Sequence, residues 1–123
     1  MDVILDTNFI IELVKGKTDI LDILEYGNIL IPYLVMEEIE DIKDNGNLKD
    51  RQLAEVALKI INKDKDKINF IELEKKFVDR GIVLYAEKHA EIAVGTIDQE
   101  LKRQLENKAR ILTLQARKKL VMY

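Results

Sequence analysis

The feature that most constrains this chain is its opening stretch, where an apolar run stops abruptly at polar residues. Val3-Ile4-Leu5 is continuous and starts with a β-branched residue, which is typical of a strand buried on both faces. Asp6-Thr7-Asn8 follows it, and apolar residues then recur at helical spacing from Phe9 to Val14. Buried strands of this kind belong to parallel sheets, which bind ligands outside the carboxyl ends of their strands. Asp6 is therefore expected at a ligand-binding edge; the alternative is that one of these three polar residues only caps the helix.

The remaining sequence alternates strand-like and helix-like segments. Apolar runs predict further strands at 28–31, 68–73, 91–95 and 109–114. Amphipathic spacing predicts helices at 18–26, 33–42, 48–61, 80–89 and 99–106, and residues 115–123 are expected to form a short tail. The alternation predicts a three-layer α/β sandwich with a mostly parallel central sheet. A chain of 123 residues is expected to form a single domain, residues 1–123.

Composition excludes several classes of site. The chain has no cysteine, and therefore no disulfide, no thiolate metal site and no thiol nucleophile. Its single histidine, His89, ends a predicted helix and has no second His or Cys beside it, which argues against zinc. No Gly-rich nucleotide-binding loop occurs. Without a signal peptide, or an apolar run approaching the roughly 18 residues of a membrane span, the protein is expected to be soluble and cytoplasmic, with no membrane partner.

Charge is divided unevenly along the chain. Residues 1–98 contain 13 Lys and Arg against 21 Asp and Glu, a net charge of −8. Residues 99–123 contain seven Lys and Arg against two Glu, a net charge of +5. A basic end on an acidic body favours a polyanionic partner, although exposed basic residues also serve solubility alone.

Four carboxylates are predicted to converge at one edge of the sheet. Asp6 and Asp98 follow strands, whereas Glu38 and Asp79 lie near the starts of helices. In a doubly wound sheet, the carboxyl ends of strands and the starts of the following helices share one edge. Each acid alone also has a simpler explanation, as a helix cap or as part of a solvated helix face.

Carboxylates that meet at such an edge predict a metal site. They repel one another unless some are protonated or a cation lies among them. Donor sets made only of oxygen favour hard divalent cations over zinc. The expected cofactor is therefore Mg²⁺ or Mn²⁺, and its expected ligands are Asp6, Glu38, Asp79 and Asp98.

The sequence resembles the PIN-domain nucleases in four segments that span almost the whole chain. These are residues 3–8 (VILDTN), 31–39 (IPYLVMEEI), 78–82 (VDRGI) and 95–102 (GTIDQELK). The opening Asp-Thr-Asn and the late Thr-x-Asp-x-Glu-Leu-Lys are the most specific of them. One departure is Arg80, where many relatives have a second Asp beside the position of Asp79.

The resemblance implies a five-stranded parallel sheet in the order 3-2-1-4-5 and a metal-dependent ribonuclease. It makes Asp6, Glu38, Asp79 and Asp98 the catalytic acids, supported by Asn8, Thr96 and Glu100. Within the family, the basic end of this chain is more similar to the rRNA-processing branch of archaea and eukaryotes than to the toxin branch.

An acidic site repels RNA, so basic residues elsewhere are needed to attract the substrate. Unpaired bases are also expected to stack on aromatic side chains such as Tyr33 or Tyr123. The candidate basic contacts to RNA are Lys102, Arg103, Arg110, Arg117, Lys118 and Lys119.

Other functions remain open from the sequence. The chain is alternatively a toxin-type ribonuclease with an antitoxin partner, or a ribosome-assembly factor that keeps the fold and binds RNA without cleaving it. A role in a protein assembly, for example as a homodimer, is a further alternative. A phosphoryl-receiving signalling domain is disfavoured, because the paired acids and late Lys that it needs are missing.

Overall fold

A computed structural model describes residues 1–116 and 118–123. Strands and helices alternate along most of the chain, and short 3-10 helices lie at Ile20–Glu25 and Lys65–Lys67. The strands are β1 (Asp2–Leu5), β2 (Asn28–Pro32), β3 (Ile68–Ile71), β4 (Ile92–Gly95), β5 (Arg110–Gln115) and β6 (Lys119–Met122). The helices are α1 (Thr7–Lys15), α2 (Tyr33–Asn45), α3 (Leu48–Lys63), α4 (Val78–Lys88) and α5 (Gln99–Gln104).

The strands form one sheet in the order β3-β2-β1-β4-β5-β6. The first five are parallel, so the predicted order 3-2-1-4-5 and the predicted mostly parallel α/β architecture are confirmed. β1 lies at the centre with all three of its apolar residues fully buried, as its unbroken apolar sequence requires. Its last residue, Leu5, pairs with Gly95 of β4, which places the ends of these two strands side by side.

The sixth strand corrects the expectation that residues 115–123 are a tail. β6 pairs antiparallel with β5, and Leu114 lies opposite Leu120. Leu120 and Met122 pack against the core, so the segment gains apolar burial that an unpaired tail would lose. The hairpin is also tied to the start of the chain, because Thr18 donates a hydrogen bond to the carbonyl oxygen of Lys118 (2.9 Å).

Helices cover both faces of the sheet. α1, α2 and α3 contact one another, and α4 contacts α5. Because crossovers between parallel strands are right-handed, the reversal of strand order at β1 puts these two groups on opposite faces. The starts of α2 and α4 therefore approach the carboxyl edge of the sheet from opposite sides.

The structure refines one local prediction and removes one alternative. The segment predicted as a helix at 18–26 is a shorter 3-10 helix, Ile20–Glu25, which Asp19 caps by accepting a hydrogen bond from the Leu21 amide (2.9 Å). Asp79 does not cap α4: Phe77 occupies the cap position without a side-chain hydrogen bond, and Asp79 lies in the first turn. Its carboxylate is therefore not used in closing the helix end.

In the part of the chain that the structure describes, no helix combines the length and apolar character needed to cross a membrane.

Candidate active site

The four predicted acids line one pocket of about 580 Å³ at the carboxyl edge of the sheet. Asp6 follows β1, Asp98 follows β4, and Glu38 and Asp79 are supplied by α2 and α4 on the two faces. Two further acids that the sequence did not single out, Glu37 and Asp41, also line it. The other lining residues are Thr7, Asn8, Leu34, Ile42, Lys76 and Val78.

Asp6 is the most tightly held of these acids, and only 6% of it is exposed. Its amide donates to the carbonyl oxygen of Gly95 (2.9 Å), which continues the pairing of β1 with β4. One carboxylate oxygen accepts from the amide of Thr7 (2.8 Å), and the other accepts from the hydroxyl of Thr96 (3.1 Å). Asp6 therefore caps α1 and also lines the pocket, so the two interpretations of this residue are compatible.

Thr7 connects two of the acids. It is buried at the start of α1, and its hydroxyl donates a hydrogen bond to Glu38 on α2. The sequence alone gives Thr7 no role beyond a cap, because its contact with Glu38 joins residues 31 positions apart. The Asp-Thr-Asn motif itself was the available signal, since the two residues beside Thr7, Asp6 and Asn8, line the same pocket.

Asp98 lines the pocket after the end of β4, and the buried Thr96 supports it. The amide of Asp98 donates to the Thr96 hydroxyl (3.1 Å), and its carboxylate caps α5 by accepting from the Leu101 amide (2.9 Å). Thr96 is completely buried and also donates to Asp6, so one hydroxyl links the residues that follow β1 and β4.

Burial and mutual repulsion disfavour the ionised form of two of the acids in the pocket. Burial, and to a lesser extent Asp79 and Glu38, raise the pKa of Asp6 to about 6, while the hydrogen bonds from Thr96 and Thr7 partly offset the rise. Partial burial and the neighbouring Asp98 and Glu38 raise the pKa of Asp79. Over residues 1–116 and 118–123, no Lys or Arg forms an ion pair with any of the four acids. Within these ranges, the negative charge of the four acids is therefore not neutralised by an ion pair.

The donor chemistry of this pocket suits a hard divalent cation, because it offers several carboxylates, no thiol and no imidazole. Among the described residues, however, no three acidic or imidazole side chains are already positioned to hold one ion. Glu38 accepts a hydrogen bond from Thr7, and Asp98 caps the start of α5. The side chains would have to converge further to share an ion.

The predicted supporting residues are placed differently. Asn8 lines the pocket and Thr96 bonds to Asp6, whereas Glu100 lies outside it, in an ion pair with Arg103. Glu100 lies in the first turn of α5 and lines a second groove, separate from the acidic pocket.

The predicted basic contacts fall into two places. Lys102 and Arg103 line the second groove together with Tyr123, whose carbonyl oxygen accepts a hydrogen bond from Arg110 (3.2 Å). Lys118 and Lys119 line a separate depression beside two acids of the first 3-10 helix. Arg117 lies outside the described residues. Of the predicted basic residues that the structure describes, none lines the acidic pocket.

Comparison with known proteins places the chain in a family. A protein-family model described as a PIN-like domain matches residues 3–118. Among solved structures, the PIN domain endonuclease Utp24 superposes with a TM-score of 0.76 at 25% sequence identity, over 95% of this chain and 87% of that one. No curated protein matches. Because the family match covers nearly all 123 residues, the protein belongs to the PIN-like domain family, as its motifs predicted.

Proposed function

We propose that this protein is a metal-dependent endoribonuclease whose active site is the acidic pocket. The observation that carries the proposal is the meeting of Asp6, Glu38, Asp79 and Asp98, from four different elements, around one cavity. Utp24, whose structure is similar to this one, is a PIN domain endonuclease, and PIN nucleases generally use divalent metal ions. A raised pKa at two of the acids supports a site that requires a cation at neutral pH.

Within this proposal, Asp6 and Asp98 are direct ligands of Mg²⁺ or Mn²⁺, and Glu38 and Asp79 either bind the ion or orient the attacking water. When bound, the cation supplies positive charge to the phosphate and makes a water molecule more acidic. Thr96 fixes the orientation of Asp6 by its hydrogen bond, and Thr7 does the same for Glu38. Asn8 is exposed at the pocket wall, where its amide can donate to a phosphate oxygen.

RNA is the proposed substrate, and rRNA processing is the proposed setting, since the basic end of the chain resembles that branch of the family. A labelled ribosomal RNA fragment is therefore the first substrate to test. Purified protein should cleave it internally with Mg²⁺ or Mn²⁺, and chelation with EDTA should stop the cleavage.

Two variants test the site against a matched control. Asp6→Asn and Asp98→Asn keep a helix-capping side chain, so both should fold and both should reduce cleavage to the level measured in EDTA. Asp19→Asn is the control, because Asp19 also caps a 3-10 helix but lies outside the pocket. Cleavage by Asp6→Asn at the wild-type rate contradicts the proposal. Metal-independent RNA binding without cleavage identifies the protein as a non-catalytic RNA-binding factor instead.

A further inference from the structure

One basic side chain lies among the acids of the pocket. Lys76 lines this cavity, and it is the only Lys or Arg to do so within residues 1–116 and 118–123. It precedes α4 and is not among the basic residues that the sequence predicted to contact RNA. Because opposite charges attract at this range, an ion pair between Lys76 and one of the acids would be expected. The carboxylates that line the cavity belong to Asp6, Glu37, Glu38, Asp41, Asp79 and Asp98.

Lys76 does not form that ion pair. In the described part of the chain, every ion pair joins other residues, although Lys76 is exposed and close to several acids. Asp6 and Glu38 instead accept hydrogen bonds from the hydroxyls of Thr96 and Thr7. The ammonium group of Lys76 is therefore available to a ligand that enters the cavity.

The chain on either side of Lys76 is held in place. Before it, Leu73 packs so closely against Gly81 of α4 that a Cβ added at Gly81 would lie 2.9 Å from the Leu73 side chain. After it, Val78 is buried in the core at the start of α4. Lys76 thus follows one fixed point by three residues and precedes another by two. Little backbone freedom is left to lose when a ligand binds, so the contact costs mainly side-chain entropy.

We propose that Lys76 is the phosphate-binding residue of the pocket, where its ammonium group donates to a non-bridging oxygen of the RNA phosphodiester. The inference rests on the proposed function, because it assumes that an RNA linkage reaches the acids. A phosphate oxygen fits both kinds of group in this cavity, since it accepts from an ammonium group and also binds the hard cations that carboxylates attract. A carboxylate from an acidic protein shares both properties, but RNA is favoured because it is also the proposed substrate.

The neighbours of Lys76 provide matched controls. Lys75 and Arg80 are also exposed, and no ion pair among the described residues includes either of them. Neither residue lines the pocket. Lys76→Gln, Lys75→Gln and Arg80→Gln therefore remove the same charge from the same short segment, and only the first removes it from the cavity. Lys76→Arg keeps the charge there.

Affinity is measured by fluorescence anisotropy with a short labelled RNA, in Ca²⁺ and over a series of salt concentrations. Lys76→Gln should weaken binding by roughly 10- to 150-fold, the range for loss of a hydrogen bond to a charged group. It should also lower, by about 0.7 to 0.9, the slope with which log affinity falls as log salt rises, because one phosphate contact is lost. Lys76→Arg should restore the affinity and the slope, and neither control should reproduce the loss.

A second measurement locates the phosphate that Lys76 contacts. RNAs are made in which one phosphate at a time is replaced by an uncharged methylphosphonate. At the position bound by Lys76, the replacement should weaken binding by the wild type but cause no further loss with Lys76→Gln, because both changes remove the same contact. At every other position the two losses should add.

Several results would overturn the inference. One is an equal loss of affinity for Lys76→Gln and both controls, which indicates only a general attraction between charges. Another is a methylphosphonate series in which every position adds to the loss from Lys76→Gln. Unchanged RNA affinity with tighter Mn²⁺ binding by Lys76→Gln assigns Lys76 to the metal site, and unchanged RNA affinity with a weaker complex with an acidic protein assigns it to a protein interface.

The inference and the nuclease proposal can fail separately. RNA binding and metal-dependent cleavage that are both insensitive to Lys76→Gln overturn the inference and leave the nuclease proposal standing. Binding that depends on Lys76, without metal-dependent cleavage, removes the nuclease proposal and keeps the phosphate contact.

Discussion

Replacing Asp6 by Asn should stabilise the metal-free protein while removing its activity. The carboxyl of Asp6 has its pKa raised from 3.8 to about 6, chiefly by burial. Between these two pH values the folded protein keeps a proton on Asp6 that the unfolded chain releases. The free energy of unfolding of the wild type therefore falls as pH rises from about 4 to about 6, and stays lower above that range.

The size of the effect follows from the shift. A rise of about two pKa units means that ionised Asp6 lowers the free energy of unfolding by about 3 kcal/mol at neutral pH. Asn is uncharged and can still accept from the Thr7 amide, but it no longer accepts the hydroxyl proton of Thr96, which costs about 1 kcal/mol. The net gain for Asp6→Asn is about 2 kcal/mol at neutral pH, or about 8 °C in melting temperature for a domain of this size.

The assay is urea unfolding of both proteins in EDTA at about pH 7 and at about pH 4. The variant should be more stable at the higher pH and should lose that advantage at the lower one. Adding Mn²⁺ should then raise the melting temperature of the wild type and not that of Asp6→Asn. A variant that is less stable than the wild type at both pH values would show that burial does not raise the pKa of Asp6.

Three further predictions concern the same region. Thr7→Val keeps the shape of the side chain but removes the hydrogen bond to Glu38, and should weaken metal affinity about 10- to 100-fold by titration while leaving the fold intact. Because ionised Asp6 is needed to bind the ion, Mn²⁺ affinity should fall by up to about tenfold per pH unit below about 6, measured by calorimetry. Gly95→Ala should lower the free energy of unfolding by about 1–3 kcal/mol, since the added Cβ would lie 2.8 Å from the ring of Phe9 and 2.9 Å from Leu5. An unchanged urea midpoint would contradict the last of these.

The parallel core and the convergence of the acids could be predicted from sequence, because both depend on short-range patterns. An unbroken apolar run followed by polar residues identifies a buried strand and its carboxyl end at once, as at Leu5–Asp6 and Gly95–Thr96. Strand order came from the family resemblance, and the structure reproduces it with an added sixth strand.

The features that the sequence did not reveal depend either on contacts between distant residues or on local conformations that the residue types do not signal. β6 follows a turn in which Ala116 has a positive φ of 53°, a conformation that a Gly or Asn would have signalled and Ala does not. The bond from Thr7 to Glu38 requires α1 and α2 to pack side by side, which no local pattern specifies. Glu100 was assigned to the site by its motif, but the turn of α5 directs it to Arg103.

The strand order also affects how the site forms during synthesis. β1 is made first and lies in the middle of the sheet, yet one of its two neighbours is β4, which begins at Ile92. Asp6 gains its bond from Thr96 only when that late strand has left the ribosome, and Asp98 follows two residues later. Since chains emerge from the N-terminus at a finite rate, the cluster of acids stays incomplete until Thr96 and Asp98 have been made. The proposed nuclease site therefore cannot be complete before its last acid, Asp98, has been synthesised.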